Sequence, residues 1–169
     1  MLLRVVGVVI AMSAVAHADP APAAAASSRR IGVGLLVGMS SERDPLGGAR
    51  GVFHVADAGP GTVRAISQVL YARWRDPADA EHRWDVLAAS AAIEYVAPVS
   101  LPFFIATGVG VGYDVLQDNY GHPVSGHGFG ACRISPSLKI GAFDVGLHVQ
   151  LVVSDRFILL GELGIDYFI

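Results

Sequence analysis

The sequence predicts an all-β protein: a closed, antiparallel up-and-down barrel of about eight strands whose apolar face meets lipid. Three observations carry that expectation. Apolar residues recur with period two along most of the chain. Hydrophobic residues make up 53% of the 169 and charged residues only 16%, against about 25% charged in ordinary soluble domains, and mean hydropathy is +0.50. Past the N-terminus no apolar run approaches the ~20 residues that a spanning helix requires. High hydrophobicity without a helical span fits a membrane crossed by strands, where alternation dilutes the apolar residues two-fold.

Residues 1–18 carry Arg4, an apolar run from Val5 to Ala16, and then Ala16-His17-Ala18. A basic start, a short apolar stretch and an A-x-A site are the parts of a cleaved secretory signal peptide. The expected mature chain starts at Asp19, with a disordered periplasmic lead-in over residues 19–29 and a barrel domain over 30–169. No cysteine lies near the cleavage site, so no lipoprotein anchor is expected there. Cys132 is the only cysteine, which rules out an intramolecular disulfide and a thiolate metal cluster.

The strands follow in order. Residues 30–40 set Ile31, Val33, Leu35, Val37 and Met39 against Gly32, Gly34, Leu36 and Gly38. Residues 49–56 read as a short strand, and the segment 49–61 is ambiguous enough to leave ten strands open as an alternative count. Residues 62–74 set Val63, Ala65, Val69 and Tyr71 against Arg64 and Gln68, with Ile66 and Leu70 blurring the contrast. Residues 84–97 place Leu87, Ala89, Ala91, Ile93 and Tyr95 opposite Ser90 and Glu94. Residues 103–115 alternate Phe103, Ile105, Thr107, Val109, Val111, Tyr113 and Val115 with Ala106, Gly108, Gly110, Gly112 and Asp114. Residues 129–140 put Ile134, Leu138 and Ile140 opposite Arg133, Ser135, Ser137 and Lys139, and Pro136, which lacks a ladder donor, suggests a bulge. Residues 143–153 and 157–169 show the cleanest alternation, with Asp144, His148, Glu162 and Asp166 on the minority face. Side chains i and i+2 share a strand face, whereas a helix would bear a cost of about 1 kcal/mol for each of these glycines. Connections are expected near residues 41–48, 58–61, 75–83, 98–100, 116–128, 141–142 and 154–156, tending to alternate long and short as outer loops and periplasmic turns do.

The second face decides where the apolar one points. If apolar residues lined a ligand cavity, the glycines would form a wet exterior almost free of charge. Glycine marks close approach, which suits the interior of an eight-stranded barrel, just wide enough for side chains to fill. Aromatics are expected to form two interfacial girdles, Tyr71, Trp74, Trp84, Tyr113 and Phe157 at one rim and Tyr95, Phe103, Phe143 and Tyr167 at the other.

The C-terminal run Gly161-Glu-Leu-Gly-Ile-Asp-Tyr-Phe-Ile169 resembles the last strand of outer-membrane barrels, which alternates apolar residues and ends in an aromatic; here Phe168 is penultimate and Ile169 last. With the export signal and the strand count, the chain resembles small barrels of the OmpA/OmpX type. That resemblance implies an outer-membrane location, outer-membrane lipids as surroundings and passage through the barrel-assembly machinery. It does not specify an activity.

The expected lumen carries Arg50, Arg64, Arg133 and Lys139 against Glu94, Asp114, Asp144, Glu162 and Asp166, with His148 among them. A polar conduit and a plug of ion pairs both fit, and the plug is preferred because eight strands leave no aqueous channel. Asp118, His122 and His127 in the longest connection could hold zinc or nickel, but nothing fixes their spacing and a solvated loop is the preferred reading. Some enzymes that act on outer-membrane lipid acyl chains resemble this scaffold and use a serine–histidine pair near the outer rim. Ser125 and His127 would be that pair here, with Asp118 as the acid, yet no local motif orients them. His54 is expected to be a satisfied interior histidine, and Cys132 a small apolar residue beside Ile134. The net charge of -3 and eleven scattered arginines argue against nucleic acid. The sequence therefore points to a non-enzymatic structural or surface-display barrel without cofactor or metal. Two alternatives are an acyl hydrolase on the same scaffold and a soluble periplasmic binder of apolar ligands, lipocalin-fashion.

Overall fold

In a computed structural model, the described residues are 31–42, 44–75, 81–120, 125–155 and 157–169. They form eight strands: β1 (Ile31–Ser40), β2 (Pro45–Ala58), β3 (Gly61–Arg75), β4 (Arg83–Ser100), β5 (Phe103–Asp118), β6 (Ser125–Ile140), β7 (Phe143–Val153) and β8 (Phe157–Phe168). Each pairs antiparallel with its neighbours, and β8 returns to β1 through Gly32↔Phe168 to Ser40↔Leu160, closing the barrel. Closure leaves no open sheet edge along this seam, the condition for strands to lie in lipid. The signal peptide and lead-in fall outside the described residues.

The alternation holds in three dimensions. Along β1, Ile31, Val33, Leu35, Val37 and Met39 are exposed while Gly32, Leu36 and Ser40 are buried. Leu35 is 71% exposed and Val111 69%; large aliphatic side chains so uncovered, in a belt over most of the strands, need a non-aqueous surrounding. Ile66 and Leu70, which blurred the pattern of β3, are buried in the interior.

Several boundaries differ from the sequence expectation. The ambiguous segment is one strand of 14 residues, so the count is eight. Its bulge lies between His54 and Ala56, and a second lies between Pro98 and Ser100. At Pro136 the register to β7 is unchanged from Ile134↔Val149 to Ser137↔Gly146; the ladder merely skips two pairs, as a residue without N–H allows. The expected loop over 116–128 is largely strand, because the outer end of β5 pairs with β6 from Leu116↔Ser125 onward.

Short turns lie at the end that carries the chain termini. Gly59 and Gly141 open two of them with φ of 57° and 63°, the left-handed conformation that two-residue hairpins of the II′ type require at their first position. The opposite, loop-bearing rim is stepped. β6 starts at Ser125, but its pairing with β7 starts only at Gly130↔Val153, so the β3–β6 wall rises about 17 Å of strand above the β7 side.

Candidate functional site

The period-two parity that turns Leu, Val and Ile outward gathers the charged residues in the interior, in two neighbouring bonded groups. Arg50 donates from Nε to Asp166 Oδ1 at 2.6 Å and from Nη2 to Asp166 Oδ2, and its Nη1 lies 3.3 Å from His148 Nδ1. Arg64 reaches Asp144 Oδ2 at 3.3 Å and Glu94 Oε2 at 3.6 Å. Arg133 donates to Glu94 Oε1 at 3.2 Å, to Gln150 Oε1 at 3.1 Å from Nε, and to Gln68 Oε1. Gln68 in turn donates to Glu162 Oε1 at 3.4 Å. All ten of these residues are buried. Three guanidiniums thus face four carboxylates, and Lys139, near the terminal end of the lumen, makes the numbers of cations and anions equal. Buried charges left unpaired would cost several kcal/mol each, and bringing opposite signs together from six strands avoids most of that.

Glycines make the network possible. On β1, Gly34 stands opposite both Arg50 and Asp166. On β5, Gly108 stands opposite both Glu94 and Arg133. A Cβ on Gly108 would sit 2.6 Å from Glu94 Cγ, a distance real Cβ atoms do not show. Each pair therefore bridges over a strand that presents hydrogen instead of a side chain.

Not every expected lumen residue joins in. Lys139 stacks over aromatic rings, its Nζ 5.0 Å from the centroid of Phe104 and 6.0 Å from that of Phe168. Asp114 lies inside the loop end, where it accepts from the His127 backbone N–H at 3.1 Å and faces His127 Nδ1 at 3.4 Å. His54 keeps the lumen-side parity of Val52 and stands opposite Arg64, but it is only part-buried near the terminal end, 3.5 Å from Asp57.

Of the nine girdle aromatics, Tyr71, Phe103, Tyr113, Phe143, Phe157 and Tyr167 are exposed on the outer face, and Phe143 packs on Tyr167 with centroids 5.3 Å apart. Tyr95 has the outward parity of Ile93 and is half-buried, its hydroxyl donating to the Ala58 carbonyl at 3.3 Å. Trp74 and Trp84 require correction. They share parity with Leu70 and Val86, which are buried inside, so both belong to the lumen side of the mouth. Strand parity, not proximity to a loop, fixes the face of a residue.

The hydrolase and metal candidates are not assembled. Ser125 and His127 both lie in β6, two residues apart on one face, and among the described residues no hydrogen bond joins them. Asp118 is buried and contacts His82 Nε2 at 3.2 Å, while His82 stacks on Tyr120 with centroids 4.7 Å apart. His122 lies outside the described residues. Among those described, no group of three or more His, Cys, Asp or Glu is placed to hold a metal ion.

Above the charged layer the lumen changes character. A cavity of about 60 Å³ sits in its loop-side half, lined mainly by Leu46, Leu70, Trp74, Val86, Phe129 and Leu160, with Asp114 the one ionisable side chain on its wall among the described residues. Sequence reading missed this layer because Leu70, like Ile66, looked like noise on a polar face. The signal was there in the parity shared by Leu46, Leu70, Val86 and Leu160 with the charged residues below them.

No protein-family model and no curated protein matches the sequence. Solved structures do match the fold. Neisserial surface protein A aligns with a TM-score of 0.60 at 12% identity, over 85% of this chain and 98% of that one. The attachment invasion locus protein Ail of Yersinia pestis aligns at 0.53 and 10% identity, over 82% and 95%. The outer membrane enzyme PagL aligns at 0.53 and 13% identity, over 82% and 99%. The architecture is that of the small, eight-stranded transmembrane barrels of outer membranes. At these identities the likeness is one of fold, and it spans a surface protein, an attachment protein and an enzyme alike.

Proposed function

We propose that this chain is an outer-membrane barrel of a diderm bacterium with a non-enzymatic, structural or surface-display role and a lumen closed by its own ion pairs. The observation that carries this reading is the pairing of opposite faces. An aliphatic belt over most of the strands suits a bilayer, and a buried network of guanidiniums and carboxylates fills the interior where a pore would run. In this orientation the termini and short turns face the periplasm, and the taller β3–β6 wall with its connections faces outward. Export by the N-terminal segment, insertion by the barrel-assembly machinery and outer-membrane lipids as the immediate partners follow from the same reading. No partner beyond the membrane is assigned.

The hydrolase reading has the PagL-like fold and the His127–Asp114 contact in its favour, but among the described residues no hydroxyl is hydrogen-bonded to His127. Two measurements test the proposal together. A cysteine placed at Asn119, in a Cys132→Ser background, is expected to react with a membrane-impermeant maleimide on intact cells. Purified barrel is expected to release no fatty acid from outer-membrane lipid, with Ser125→Ala and His127→Ala changing nothing. Labelling only after lysis would overturn the display role, and fatty acid release abolished by both substitutions would overturn the non-enzymatic one.

A further inference from the structure

We propose that the loop-side half of the lumen is a binding site for a single hydrocarbon chain carrying an uncharged head group. The apolar lining is out of place for a mere plug. This half of the barrel opens toward the loops, where polar side chains would be solvated at no cost, yet Leu46, Leu70, Val86, Phe129, Val152, Ile158 and Leu160 face inward there. Small residues leave the space open: Ala72, Ala88 and Ser90 line the same cavity, and packing this loose forfeits contacts that larger side chains would make. The charged layer forms its floor, with Gln150 lining the cavity while holding Arg133 at 3.1 Å.

Size and polarity define the occupant. The lining runs from Leu70 to Trp74 on β3 and from Val86 to Ser90 on β4, about 14 Å of strand and roughly 10 Å of depth at a barrel tilt near 45°. That is room for one chain end and not for a fused ring system or a two-tailed lipid. Asp114 repels a carboxylate or phosphate head at the wall, which leaves an alcohol or acylglycerol type of head. Such a chain could come from dissolved amphiphile or from a bilayer lipid. The cavity exists whichever way the barrel is oriented; only the side of entry rests on the outer-membrane reading.

The test is a titration of 1-octanol into methyl-labelled barrel in perdeuterated detergent. Saturable shifts and intermolecular NOEs are expected at the inward methyls of Leu70, Val86 and Leu160. The outward methyls of Leu87 and Leu159 should respond only linearly, as octanol partitions into the micelle. Octanoate at neutral pH should bind at least fivefold more weakly. Ala88→Phe should abolish the saturable response while heat-modifiable migration shows the barrel still folded; Ser90→Leu serves if that variant does not fold. In nanodiscs without octanol, NOEs from lipid chain ends to Leu70 and Leu160 identify the bilayer as the source, and NOEs from added octanol alone identify dissolved amphiphile. Unresponsive inward methyls, or a response that survives a filled cavity, would show that these residues only pack against one another.

Discussion

Arg50 on β2 and Asp166 on β8 join through two hydrogen bonds across β1, over the bare backbone of Gly34. The pair ties the second strand to the last and so spans the seam at which the barrel closes. Its side chains are 2% and 0% exposed. Removing one partner leaves the other charged and buried, which costs about 3–5 kcal/mol, whereas replacing both with apolar groups can be nearly neutral. Arg50→Met and Asp166→Leu singly are therefore expected to lower unfolding free energy by about 3 kcal/mol or more, and the double variant to recover most of it. Urea unfolding in lipid vesicles measures the cycle, and additive losses would show that the pair is not coupled.

Glycine tolerance should divide by face. A Cβ at Gly34 would fall 2.8 Å from the Ile165 carbonyl oxygen and closer still to the Asp166 carboxylate, whereas one at Gly130 meets nothing within 4 Å. Gly34→Val is expected to lose folded barrel on semi-native gels. Gly130→Val should fold as the parent does, since a strand gains from replacing glycine on an open surface.

Charge on the outer belt should be depth-dependent. Val109, 55% exposed, lies between the aromatics Phe103 and Tyr113 of its own strand. Val109→Arg is expected to cost about 2–4 kcal/mol, and Met39→Arg at the strand end about 0–1. Equal costs at both sites, measured by the same unfolding assay, would mean that no bilayer surrounds the belt.

At the raised wall, Asp85 accepts from the Tyr71 hydroxyl at 2.5 Å and from Arg73 Nε at 2.8 Å. These bonds, the tyrosine's first, hold its carboxyl below the ordinary carboxylate value. A depressed folded value stabilises at pH above the unfolded value, and the contribution is lost as pH falls through the folded one. The site is exposed, so the whole effect is at most about 1 kcal/mol and fades with salt. Carbon-detected NMR titration should place the Asp85 midpoint higher in Tyr71→Phe than in the parent.

Most of the barrel was legible because period two is a strong signal wherever one face is uniformly aliphatic, as in β1, β5, β7 and β8. It faded in β3 and β4, where Ile66 sits between Arg64 and Gln68 and where the loop-side interior is itself apolar at Leu70 and Val86. The charged residues of the lumen could be placed by parity, but their pairing could not. Which arginine meets which carboxylate depends on register across several strands, and Arg133 reaches Glu94 only because Gly108 lies between them. Trp74 and Trp84 were misplaced for the opposite reason, their nearness to a loop having outweighed the parity of their own strands.

The account turns on the aliphatic belt meeting lipid, and cell fractionation followed by gel mobility with and without heating in detergent tests that most directly. Recovery in the outer-membrane fraction, with migration that shifts on heating, is the predicted result. Release into the soluble periplasmic fraction, with migration indifferent to heating, would contradict it.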